Sequence, residues 1–82
     1  MGFNHLKNRA SYDRLIGKLD EQLSQSIIDS TKLVELIHKH ENEIPARQLE
    51  LIKAQKSAMN MVQSILRLRI SELKERRSKA DV

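Results

Sequence analysis

Eighty-two residues make one domain at most, since domains commonly run to about 100–150 residues. Only 39% of the residues are hydrophobic and 32% are charged, with a formal net charge of +4, so any core is thin. Two Gly, one Pro and no Cys argue against a sandwich or barrel of short strands and exclude a disulfide framework or a cysteine zinc site.

Residues 1–10 show no sustained period and read as a loosely ordered N-terminal segment. They lack the apolar stretch of a secretory signal, and Leu6 stands where a myristoylation motif wants Ser or Thr. No apolar run approaches the roughly 18 residues of a membrane-spanning helix. The expected setting is cytoplasmic. Ser11 is a candidate N-cap, with Asp13 in the first turn where negative charge suits the helix dipole. Arg14 occupies the place of the Glu or Gln that would complete a capping box.

From there Ile16, Leu19, Leu23, Ile27, Thr31, Val34 and Ile37 recur at spacings of three or four, which predicts a helix over about 12–40. Pro45 interrupts the pattern. Inside a helix it would remove a hydrogen bond and clash with the preceding turn, whereas it fits the first position of a new one. A second helix over about 45–77 follows, with Leu49, Ile52, Met59, Val62, Leu66 and Leu73 on one stripe. Residues 78–82 read as a fraying tail.

A connection this short favours antiparallel neighbours, so the expected fold is all-α: a two-helix hairpin over residues 11–77, completed into a bundle by a second chain. Folding about Glu43 sets Leu23 against Val62, Ile27 against Met59, Leu19 against Leu66 and Ile16 against Ile70. Ser30 and Thr31 then form a polar layer with Gln55 and Lys56.

The second helix carries a further apolar row: Leu51, Ala54, Ala58, Met61, Ile65 and Leu68, spaced 3, 4, 3, 4, 3. Read from the sequence it lies beside the first stripe, making about half the helix circumference apolar. The bland interpretation is a broad amphipathic helix whose flanks are half covered by its own hairpin partner. Against it stands size, because small domains often need oligomerisation to be stable. The row is therefore the candidate partner-binding surface, for a second copy or a partner helix. Leu15, Leu33 and Leu36 add a thinner flank on the first helix.

Charge is uneven. Residues 20–50 hold seven acids and three bases, while residues 66–79 hold six bases and two acids. An antiparallel hairpin places both basic chain ends together, away from an acidic turn. Arg67, Arg69, Lys74, Arg76 and Arg77 are the candidate phosphate-binding residues of a DNA- or RNA-binding regulator, the alternative function. No helix-turn-helix, base-stacking aromatics or glycine-rich phosphate loop accompanies them. The ordinary explanation is a solvated helix end whose cations complement the dipole.

Enzymatic function, a cofactor and a metal site are not expected. His38 and His40, two residues apart, point about 200° apart on a helix, and zinc wants three or four converging ligands. A hairpin also offers no enclosed pocket for a substrate.

The hairpin length, the Pro45-Ala46-Arg47-Gln48 step and the Ala/Met/Ile-rich stretch from Ala54 to Ile70 resemble the small co-chaperones of bacterial type III secretion over about residues 19–70. That resemblance implies a short, cysteine-free helical hairpin that helps a larger chaperone hold an aggregation-prone secreted subunit. With the apolar row, the expectation is a non-enzymatic protein-interaction module.

Overall fold

A computed structural model describes residues 2–80, and the side chains of residues 9–80. Two helices, α1 (Gly2–His40) and α2 (Ala46–Ala80), form an antiparallel hairpin, and no strand occurs among the described residues. The hairpin is a rod of 62 × 14 × 13 Å. At about 1.5 Å per residue, α1 alone spans nearly that length.

The helix ends differ from the sequence expectation in ways that follow from local chemistry. α1 begins at Gly2, so Ser11 lies inside the helix and caps nothing. Leu6, Lys7, Arg9 and Ala10 are all strong helix formers, which lets the pattern propagate upstream of its apolar period. At the other end, the His40 carbonyl accepts from the Glu43 and Ile44 amides at 2.9 and 3.0 Å, and residues 41–44 turn the chain. The Pro45 carbonyl accepts from the Leu49 amide at 2.9 Å, so Pro45 stands just before α2 rather than as its first residue. α2 continues past residue 77 to Ala80, supported by a Lys79–Glu75 pair at 3.3 Å and by Arg77 and Lys79 in its last turn. Of the expected frayed tail, residues 81 and 82 lie outside the described part of the chain.

The inner faces of the two helices follow an unbroken heptad. On α1 the less exposed positions include Tyr12, Ile16, Leu19, Leu23, Ser26, Ser30, Leu33 and Ile37; on α2 they are led by Leu49, Ile52, Lys56, Met59, Gln63, Leu66 and Ile70. Spacings alternate between three and four throughout, the signature of knobs-into-holes packing. The core proper lies toward the chain ends, where Ile16, Leu19, Leu66 and Ile70 are 5–6% exposed with Leu23 and Leu73 packed against them. Leu19 with Leu66 and Ile16 with Ile70 thus share one cluster, as expected.

The middle of the hairpin corrects the expected pairings. Ile27 and Val62, assigned to the interface, are 39% and 50% exposed. Of the expected polar layer, Ser30 and Lys56 do lie on the seam, whereas Thr31 and Gln55 do not. Instead Gln63, 6% exposed, donates from Nε2 to Ser26 Oγ and Ser30 Oγ, each at 3.2 Å. Thr31 is exposed and its hydroxyl returns to the Ile27 carbonyl, and Gln55 is exposed as well.

The physical reason lies in what each rotation would exchange. Turning α2 to bury Val62 in place of Gln63 would also bring Arg69 in for Ile70. Turning α1 to bury Ile27 for Ser26 would bring Asp20 in for Leu19. Burying an unpaired charge costs more than burying an amide whose hydrogen bonds are made. The satisfied Gln63 layer wins.

Candidate functional site

The row Leu51, Ala54, Ala58, Met61, Ile65 and Leu68 is exposed along its whole length. Its large members are 45% (Leu51), 67% (Met61), 49% (Ile65) and 71% (Leu68) exposed. Each residue advances about 100° around a helix, so this row centres roughly 160° from the row that faces α1. It is therefore not beside the hairpin stripe, as the sequence suggested, but on the far side of α2. The apparent adjacency came from taking Val62 as part of the hairpin stripe when that side chain points outward. A far-side row cannot be a half-covered flank, because α1 does not reach it.

The surface has defined ends. Before Leu51 stands Arg47, paired with Glu50 at 3.3 Å, and after Leu68 stands Glu72, which accepts from Arg76 Nε at 2.7 Å. Arg47 and Glu72 fall on the same helix face as the apolar row, at the next heptad positions on either side. From Leu51 to Leu68 the row itself carries no charge. Its edges are Gln55, Val62 and Arg69 on one side and Glu50, Ser57 and Ser64 on the other, so charge enters only at the two ends. On α1, Leu15 and Leu36 remain exposed while Leu33 joins the inner seam.

The five candidate phosphate-binding residues do not converge. Arg67 and Lys74, seven residues apart, share one edge of α2, whereas Arg69 and Arg76 share an edge about 160° away. Arg77 turns inward and donates from Nη1 to Asp13 Oδ1 at 2.9 Å, tying the two chain ends together. Arg76 is engaged by Glu72, and that hydrogen bond, with the attraction of the carboxylate and of nearby Tyr12, raises the guanidinium pKa above its usual value. Arg69 lies beside the hairpin stripe, over a shallow groove with Leu15, Leu19 and Leu73. Among the described residues Arg67, Arg69 and Lys74 have no ion-pair partner.

His40 Nδ1 lies 3.0 Å from Glu43 Oε2 across the turn, and His38 borders an open groove with Val34, Ile37 and Lys53. No group of three or more His, Cys, Asp or Glu side chains comes together among the described residues. The side chain of His5 lies outside them. No helix among them is long and apolar enough to cross a membrane.

What the sequence reading missed is Gln63 and Ser26, which complete the polar layer with Ser30. Their signal was present as an uninterrupted 3-4 spacing, visible once polar residues are allowed to occupy seam positions. Comparison with protein-family models, curated proteins and solved structures gave no match.

Proposed function

We propose that this protein is a non-enzymatic interaction module that buries the outer face of α2 against another helix. One observation carries the reading: six successive heptad positions from Leu51 to Leu68 are apolar and exposed on the side of α2 that α1 does not reach. Leaving that much apolar surface in water is unfavourable by about 25 cal/mol per Å², and covering it is the driving force for association. A second argument is stability. Among the described residues the buried core is four apolar side chains with Leu23 and Leu73 packed against them, and a single core this small rarely contributes more than about 3–5 kcal/mol. A partner that binds the folded hairpin would stabilise it through mass action.

The narrower form of this reading is an adaptor or co-chaperone of the type III secretion kind, acting in the cytoplasm. Its support is the hairpin form of residues 19–70 and the resemblance of their sequence to that family. The alternative, phosphate binding at the basic pole, keeps Arg67, Arg69 and Lys74 as its unpaired cations. The division of these residues between two edges disfavours a single phosphate track.

The test is Ile65→Asp, examined by sedimentation equilibrium and circular dichroism, alone and with any co-purifying protein. The expected result is a hairpin that keeps its helicity and loses its association, because a charge in an apolar interface leaves an unpaired buried ion. Association unchanged by Ile65→Asp but falling steeply with salt would instead favour phosphate binding.

A further inference from the structure

The outer face of α2 is complementary to itself, and this identifies an occupant. We infer that a second copy of this chain covers it, the two α2 helices running antiparallel with Leu51 opposite Leu68, Ala54 opposite Ile65 and Ala58 opposite Met61. The inference rests on the outer face being an interaction surface, and adds what binds there and in which direction.

Three features of the row select this arrangement. The first is size. Each alanine meets a large side chain of the second copy, so small and large residues interdigitate, as dense packing requires. A parallel pair would align alanine levels with alanine levels and Met61 with Met61, giving uneven layers. The second is charge at the ends. The same register sets Arg47 of one copy level with Glu72 of the other, at both ends of the row. Each already has a neighbour of opposite sign, Glu50 at 3.3 Å from Arg47 and Arg76 at 2.7 Å from Glu72. The four side chains would then alternate in sign across the interface. A parallel pair would put Arg47 beside Arg47 and Glu72 beside Glu72.

The third feature is the charge of the whole rod. Antiparallel copies place the basic end of α2, with Lys74, Arg76 and Lys79, level with Glu41 and Glu43 at the turn of the second copy. Parallel copies would bring two basic poles together. Every contact in the antiparallel pair is made twice about a twofold axis, the commonest symmetry of soluble homo-oligomers. The edges offer no obstacle: on one side Gln55 comes near the level of Val62 and Arg69 near Gln48, and on the other Ser57 comes near Ser64 and Glu50 near Ser71, so neither edge charge meets a charge of the same sign. The two α1 helices lie on the outside of the pair.

The chain has no cysteine, so introduced thiols report cleanly. Leu51→Cys and Leu68→Cys are made as separate proteins, each at an exposed site that leaves the hairpin core intact. They are unfolded together in urea, refolded as a mixture and mildly oxidised, beside each protein treated alone. Residues 51 and 68 are about 26 Å apart along the helix, far beyond disulfide reach unless the copies run antiparallel. The mixture is expected to yield about tenfold more disulfide-linked dimer than either protein alone.

Equal cross-linking of each protein with itself would establish a parallel pair and overturn the inference. So would a wild type that sediments as a dimer without the mixed cross-link. A wild-type monomer that docks a foreign helix in a manner abolished by Ile65→Asp would overturn the second copy while retaining the interaction reading. A monomer for which Ile65→Asp changes no association would remove both.

Discussion

The two faces of α2 have the same heptad spacing and opposite fates. The inner face runs through Leu49, Ile52, Lys56, Met59, Gln63, Leu66 and Ile70 and packs on α1. The outer face runs through Leu51, Ala54, Ala58, Met61, Ile65 and Leu68 and meets solvent. The face containing a lysine and a glutamine is the covered one, and the uniformly apolar face is the open one. Which face turns inward is therefore not a matter of hydrophobicity alone. α1 offers two serines at the level of Gln63, and a hydrogen-bonded amide between them is tolerated where an unpaired one would not be. The outer face has no such constraint within this chain. On the function proposed above, its matching surface comes from another chain.

Substitutions on the two faces separate folding from association, and the largest effect belongs to the inner one. Leu66→Ala removes a side chain from the small core and is expected to cost about 2–5 kcal/mol, much of the stability of so short a hairpin. Loss of helicity by circular dichroism, with a lowered urea midpoint, checks it. On the outer face, Leu68→Ala should leave the unfolding free energy of the dilute monomer in urea within about 0.5 kcal/mol of wild type, because the residue is exposed. It should weaken association by about 1–2 kcal/mol, read from sedimentation equilibrium. Equal stability losses from Leu66→Ala and Leu68→Ala in the monomer would erase the distinction between the faces.

The polar layer sharpens the comparison further. Gln63→Ala removes both hydrogen bonds to Ser26 and Ser30 and leaves a gap, for an expected loss of about 1–2 kcal/mol in urea unfolding. Gln63→Leu should recover most of it, since the apolar side chain refills the seam and the Ser30 hydroxyl already bonds the Ile27 carbonyl at 3.0 Å. The smallest effect is expected at the chain ends. Arg77→Ala breaks the contact with Asp13, but the Arg77 side chain is 35% and that of Asp13 52% exposed, so solvent screens the pair and about 0.5 kcal/mol is the expected cost at low salt. That difference should disappear at high ionic strength, compared by thermal melts.

Much of the fold was legible in the sequence because its strongest signals are local. Pro45 marks the break between helices, and the three- and four-residue spacing of Ile16, Leu19 and Leu23, with the seven-residue step from Leu66 to Leu73, marks the helical faces. The exact seam was not legible from apolar residues alone. Ile27 and Val62 are more hydrophobic than Ser26 and Gln63, but each is one residue, or about 100°, out of phase with the neighbouring core. Only the balance of a whole face, including the charges that a rotation would bury, selects the observed register. That same error of phase moved the outer row to the wrong side of α2 in the sequence reading. The six residues of the row were nevertheless identifiable, since a heptad shows in spacing whatever it faces. The scatter of the basic residues was hidden for a different reason. Net charge by segment takes no account of helix angle, and Arg77 pairs with Asp13 across the hairpin.

The central claim is that the outer face of α2 is an interface that also stabilises the hairpin. The most direct measurement is thermal unfolding of wild type and Ile65→Asp over about a hundredfold range of protein concentration, for which mass action predicts a concentration-dependent Tm in an associating protein. The account predicts that the wild-type Tm rises with concentration in the absence of any other protein. It predicts that Ile65→Asp melts at a lower temperature that does not move. A wild-type Tm independent of concentration, matched by Ile65→Asp across the whole range, would contradict it.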